Sequence, residues 1–195
     1  MAAGELTLRD GSPLGVRPIE PGDKELLQRG VEELSPDSRY KRFLSASPRL
    51  TDSQLRYLTE VDHHDHEALV AMTESGEPLG VGRWVRLPDE PDAAEVAVAV
   101  NDDWHGQGVA TGLLTRLVER AQEEGIERFT ATALASNQTV IDLLEELGPA
   151  HVTPIGQGLV EMRIDLPAQT GAGSPLRRAL KSAAEGLFQL RGAER

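Results

Sequence analysis

The sequence predicts an α/β (α+β) domain, with strands and helices alternating around one central sheet. Three observations carry this. Short apolar runs bounded by turn residues recur along the chain, and segments with a 3.6-residue apolar period stand between them. One apolar run, AEVAVAV at 94–100, passes through a glycine turn directly into VATGLLTRLVERAQEEG at 109–125.

The elements follow in order. ELTLRDGSPLGVRPIE reads as two short strands around the Asp10-Gly11 turn. PGDKELLQRGVEEL is helical in pattern with Asp23 as N-cap, and SPDSRYKRFL is a short helix capped by Ser35 with Pro36 at its first position. Thr51 and Gln54 have capping-box spacing, so a third helix starts in TDSQLRYLTEV. EALVAMT and PLGVGRWVRL flank the turn ESGE as a hairpin. AEVAVAV is continuously apolar, which predicts a strand buried on both faces. Leu113, Leu114, Leu117, Val118 and Ala121 mark one helix face, and Gly125 ends that helix. RFTATAL is a strand, SNQTVIDLLEELG a helix with Ser136 or Asn137 at its cap and Gly148 at its end, and GLVEMRIDLP the final strand. No internal repeat is present. The predicted organisation is a domain over 1–166, then a linker and a basic amphipathic C-terminal helix over 167–195, with PAQTGAGSP as the linker and LRRALKSAAEGLFQLR as the helix. That helix is expected to dock on its own domain, a second copy or another partner.

Composition narrows the function. The 195 residues suit one domain with a full core. With no cysteine, disulfides, a Cys zinc site and a Cys nucleophile are excluded. The start MAAGELTLRDG lacks a basic segment followed by an apolar core, and no apolar run reaches the roughly 20 residues of a membrane span. A soluble, cytoplasmic protein is expected. The net charge of −12 disfavours nucleic acid and anionic membranes as partners and favours a cationic substrate such as an amine. An anionic cofactor then needs a site built from local donors.

The glycine turn can supply one. A Walker A loop fails because Val109 stands where its Lys belongs. A dinucleotide fingerprint fits poorly, because Asn101 to His105 separate the strand from Gly106 and the next strand does not end in an acid. The remaining reading is a coenzyme A diphosphate site. Backbone N–H groups from Gly106 to Thr111 would face outward at a helix N-terminus, whose dipole places about half a positive charge there.

The stretch VNDDWHGQGVATGLL resembles motif A of the GCN5-related N-acetyltransferases (GNAT), Q/R-x-x-G-x-G/A after an apolar strand, with His105 standing where the pattern has Gln or Arg. The order of elements from 16 to 166 is similar too. Within that family SPDSRYKRFLSASPRLTDSQLRYLTEVDHHDHEALVA resembles the acetyltransferase domain of bacterial Pat-type protein-lysine acetyltransferases. The resemblance implies a GNAT fold, with a mixed, mostly antiparallel sheet flanked by helices. It implies acetyl-CoA as donor and an amine as acceptor, most readily a protein lysine. It also implies donor contacts at Val98, Ala99, Val100, His105, Gly106, Gln107, Gly108, Val109, Ala110 and Thr111. Asn137 matches the family's pantetheine-contacting asparagine, and a helix cap is the alternative reading. Leu144 occupies the place where many relatives carry a Tyr general acid.

Acetyl transfer needs a base for the amine proton and a donor for the thioester carbonyl. Glu95 is the candidate base: family members of the lysine-acetylating type carry Glu there, and its apolar neighbours are expected to raise its pKa by desolvation. A solvated strand-start residue is the bland alternative. Asp62, His63, His64, Asp65 and His66 invite a metal reading, but they are too close in sequence for one regular element to aim them together, so no metal is expected. The loop is read instead as a wall of the acceptor pocket, with His63 and His66 able to assist proton transfer. Tyr40, Arg42 and Phe43 are placed at the acceptor entrance. Two other functions stay open here, acetylation of a small-molecule amine and acyl-CoA sensing without turnover.

Overall fold

The structure, a computed structural model, describes residues 4–8, 11–43 and 49–168. The predicted C-terminal helix lies outside the described residues. In chain order the elements are β1 (Gly4–Thr7), β2 (Pro13–Pro18), α1 (Lys24–Glu33) after a 3-10 turn (Pro21–Asp23), α2 (Pro36–Phe43), α3 (Asp52–Thr59), β3 (His66–Met72), β4 (Pro78–Leu87) and β5 (Glu90–Val100). A second 3-10 turn (Asp102–Trp104) precedes α4 (Val109–Glu123), followed by β6 (Arg128–Leu134), α5 (Gln138–Glu145), β7 (Ala150–Gly156) and β8 (Leu159–Asp165).

The eight strands form one sheet in the order β1-β2-β3-β4-β5-β6-β8-β7. Every neighbouring pair is antiparallel except β5–β6, which is parallel. The mixed, mostly antiparallel sheet is therefore as expected. Strand alternation divides the residues between two faces. On one face Trp84, Val96, Phe129 and Met162 pack with the α4 stripe of Leu113, Leu114, Leu117, Val118 and Ala121, all buried. Each such leucine contributes about 1.5–3 kcal/mol by leaving water. The other face holds a smaller cluster, Ile19, Leu27 and Ala68, with Leu26, Leu55, Leu58, Val61 and Val81 against it. Helices α1, α2 and α3 cover this thinner side.

Local capping explains where these helices start. Thr51 Oγ1 accepts from Gln54 N at 3.2 Å, and Gln54 Oε1 accepts from Thr51 N at 2.9 Å, which completes the predicted box. Ser35 Oγ accepts from Ser38 N at 3.2 Å and caps α2. The Asp102 carboxylate accepts from Ser35 N (2.9 Å) and Ser38 Oγ (2.6 Å), fastening the turn before the glycines to the start of α2. Asp23 departs from expectation. It precedes α1 but makes no side-chain cap bond to it. Its carboxylate is held by Arg17 through two 2.7 Å bonds and by Glu20 N.

Two strands differ from the sequence reading. β5 begins at Glu90, ahead of its apolar run. β7 has no counterpart in the prediction, because AHVTPIG has no buried residue and shows no apolar alternation. It is an edge strand held by backbone pairing to β8, so burial does not mark it. Among the described residues no helix is long and apolar enough to cross a membrane.

Candidate active site

Parallel pairing of β5 with β6 runs only from Ala93↔Arg128 to Glu95↔Thr130. Beyond it the strands diverge. β5 continues to Val100 on β4, and β6 continues to Leu134 on β8. The sheet therefore contains a wedge whose β5 edge carries Val98, Ala99 and Val100. The predicted two-sided burial of this strand holds only in part, since Val98 and Ala99 are half-buried and Glu95 is exposed.

The wedge opens toward the glycine turn. Gly106 has φ 74° and Gly108 φ 92°, left-handed values that favour glycine. Gly108 is the N-cap of α4, and the first helical bond runs from Gly112 N to Gly108 O at 2.9 Å. Among the described residues no partner is found for the N–H groups of Gly108, Val109, Ala110 and Thr111. Gln107 differs from the expected outward row, because its N–H turns back to Trp104 O at 3.4 Å. His105 Nε2–H donates to Val100 O at 3.0 Å, so this imidazole closes on the end of β5. Asn137 sits half-buried at the start of α5 and makes no side-chain cap bond, so the cap reading of that residue lacks its hydrogen bond.

Glu95 leaves β5 at the last residue paired with β6, opposite Val85 of β4. It shares a face with Arg83, which lies opposite Ala97. Its exposure means that the desolvation expected from its apolar neighbours is absent. Helix α2 touches both β5 and β6. From it Arg42, with its guanidinium over the Phe43 ring, brings positive charge toward Glu95. Burial lowers the Arg42 pKa, and the Glu95 carboxylate works against that fall. Tyr40 is 49% exposed and stays on the surface of α2.

The three histidines of DHHDHE go separate ways. His63 Nδ1–H donates to the buried Glu67 at 2.6 Å, and Arg120 of α4 holds the other Glu67 oxygen at 2.9 Å. His64 bonds Glu124. His66 is buried beside Tyr57, and its Nε2 accepts from Arg83 at 3.1 Å. The structure thus brings Glu95, Arg42, Phe43 and His66 onto one face with Arg83, and it leaves His63 with α4. Arg83 was missed in the sequence. Its only signal there is a cation inside the apolar run GVGRWVRL.

Burial pushes His66 down to about pKa 4, with the Arg83 charge adding to the effect. In the unfolded chain the group titrates near 6.5. Between those values the unfolded chain binds a proton that the fold refuses, so the contribution is complete above about pH 6.5 and is lost as pH falls toward 4. The loss is on the order of 2 kcal/mol. His66→Gln, which keeps an acceptor for Arg83, is expected to flatten the fall in urea midpoint between pH 7 and pH 4.5.

An interrupted parallel pair thus leaves an open strand edge beside a glycine-capped helix N-terminus. The comparisons give the protein's class. The acetyltransferase (GNAT) family model matches residues 29–148, and the chain belongs to this family. It is similar to acetyltransferase Pat of Mycolicibacterium smegmatis, 35% identical over 162 residues; the match covers 82% of this chain and 48% of that protein, so the chain spans about half the relative's length. The GNAT domain of S. lividans PAT superposes with a TM-score of 0.78 at 33% identity, covering 84% of this chain and 97% of that one. An L-2,4-diaminobutyric acid acetyltransferase of Methylotuvimicrobium alcaliphilum is 29% identical over 120 residues, 61% of this chain and 70% of that protein.

Proposed function

We propose that this chain transfers acetyl from acetyl-CoA to a primary amine, with a protein lysine side chain as the first acceptor. One observation carries the reading. The open β5 edge and the unpartnered amides of Gly108 to Thr111 are joined by only the short turn 101–107, so a single extended molecule can use both. They fit acetyl-CoA, which supplies the acetyl thioester. The amides and the dipole of the 15-residue α4 would hold its diphosphate. Val98, Ala99 and Val100 would offer backbone groups to its arm, with Asn137 beside it.

The chain's own part is then positioning and proton transfer. Glu95 accepts the amine proton, directly or through water, and its exposed carboxylate is open to an acceptor from solvent. Leu144 supplies no proton, so the thiol leaves as thiolate or takes its proton from water. Likeness to Pat in M. smegmatis and to S. lividans PAT supports a protein lysine. Likeness to the diaminobutyric acid enzyme supports a small amine as the second acceptor. We also read 1–166 as the acetyltransferase domain and 167–195 as a linker and helix that contact a partner or a second copy.

Calorimetry with acetyl-CoA followed by thiol-release assays with lysyl peptides and small amines tests this. The expected result is binding in the micromolar range, about −8 kcal/mol, and thiol release that depends on the amine. Binding without release from any amine would make the chain an acyl-CoA sensor. No heat would remove the diphosphate site.

A further inference from the structure

Under α1 and α2 lies a cavity walled by Leu26, Leu27, Val31 and Leu34, floored by Val81 of β4 and reaching Ala99 and Val100 of β5. Two arginines line it, Arg42 from α2 and Arg83 from β4, and among the described residues no Asp or Glu does. Arg83 is 7% exposed. Its bonds run to neutral groups, the Leu58 carbonyl at 3.3 and 3.4 Å and the His66 imidazole at 3.1 Å. His66 is neutral near pH 7, since burial holds its pKa at about 4. Burial, with the Arg42 charge adding to the effect, lowers the Arg83 pKa to about 10. No ion pair joins either arginine to an acid among the described residues. Buried arginines are as a rule paired, and an uncompensated buried charge is strongly destabilising. Arg83 is thus a buried charge with no acid in contact, and the half-buried Arg42, which feels the Glu95 carboxylate only at longer range, adds a second positive charge to the same acid-free cavity.

We propose that Arg42 and Arg83 bind a carboxylate carried by the acceptor beside its amine, so that the acceptors of this enzyme are amines bearing a carboxylate. The proposal rests on the acetyl-transfer reading above. A carboxylate matches the planar fork of a guanidinium in two-point contact. The leucine and valine walls suit methylenes between carboxylate and amine. The cavity ends at Ala99 and Val100, the edge assigned to the donor, so anchor and thioester would share one strand. Such an acceptor is a zwitterion, which a protein of net charge −12 does not repel as it would an anion. The carboxylate can come from a free amino acid or from an acidic side chain flanking a target lysine.

The test uses matched pairs on the full chain, 5-aminopentanoate against 5-aminopentanamide and a lysyl peptide with a flanking Asp against the same peptide with Asn. Calorimetry without acetyl-CoA reads binding, and thiol release reads kcat/KM. The carboxylate member of at least one pair is expected to win by about 10–100-fold, the worth of one or two charge-assisted hydrogen bonds. Preference in the first pair assigns the free amino acid, and preference only in the second assigns the flanking acid. Arg42→Gln should reduce the preference to about threefold or less with acetyl-CoA affinity retained. Arg83→Lys, which keeps the charge but not the fork, should reduce it in part. Equal behaviour within both pairs, while amines are acetylated, overturns the proposal. Arg42-dependent carboxylate binding without turnover of any amine would instead sink the transfer reading and leave the anion site standing.

Discussion

Glu95→Gln is expected to lower kcat by about 10²-fold or more, the ordinary worth of a general base. The acetyl-CoA Kd should stay within about twofold, because the Glu95 side chain shares a sheet face with Arg83 and the donor contacts proposed for β5 are main-chain groups. Glutamine keeps the size and removes only the proton acceptor. Turnover and kcat/KM should fall together, as they do when an interaction belongs to the transition state. Loss of binding in place of loss of rate would make the residue a structural one. Unchanged turnover would take it out of the mechanism.

The largest stability effect is expected at Gly148. A Cβ built there lies 2.0 Å from the Asp165 carbonyl oxygen, a main-chain atom at the end of β8. No side chain can swing away to relieve it. Asp165 N in turn donates to Pro149 O at 2.9 Å, so the two segments are bonded where they would have to part. Gly148→Ala should cost about 2–4 kcal/mol, at the upper end of overpacking. For a domain of this size that is roughly a 5–15 °C fall in Tm, read by circular dichroism. An unchanged Tm would mean that the turn after α5 can shift without breaking its contact with β8.

These two residues show what was legible in the sequence and what was not. Gly148 could be read as a helix end, but the β8 carbonyl against it could not, since close approach of two distant backbones leaves no local pattern. The α4 stripe was fully legible, because burial of one face imposes its period. β7 was invisible for the converse reason. Glu95 was singled out by its place in a family pattern, while its surroundings were misjudged. Apolar neighbours along a strand do not bury a side chain when the covering helix leaves that side open. The wedge itself was not legible, as pairing between main chains carries no side-chain mark. Arg83 was overlooked for want of its partner Arg42, which is far away in sequence and meets it only across the cavity.

The interruption between β5 and β6 lies in the middle of the sheet and not at its rim. A rim strand can be guarded with proline, as Pro154 does in β7, or with charge. An inner edge has no such protection, yet its flanking strands limit what can reach it. The opening narrows to nothing at the Glu95–Thr130 pair, so a folded partner's edge strand finds no room to add itself. A thin linear molecule bringing its own amide groups does find room. A ligand of the proposed kind would therefore be selected by girth before any side chain of this protein is touched.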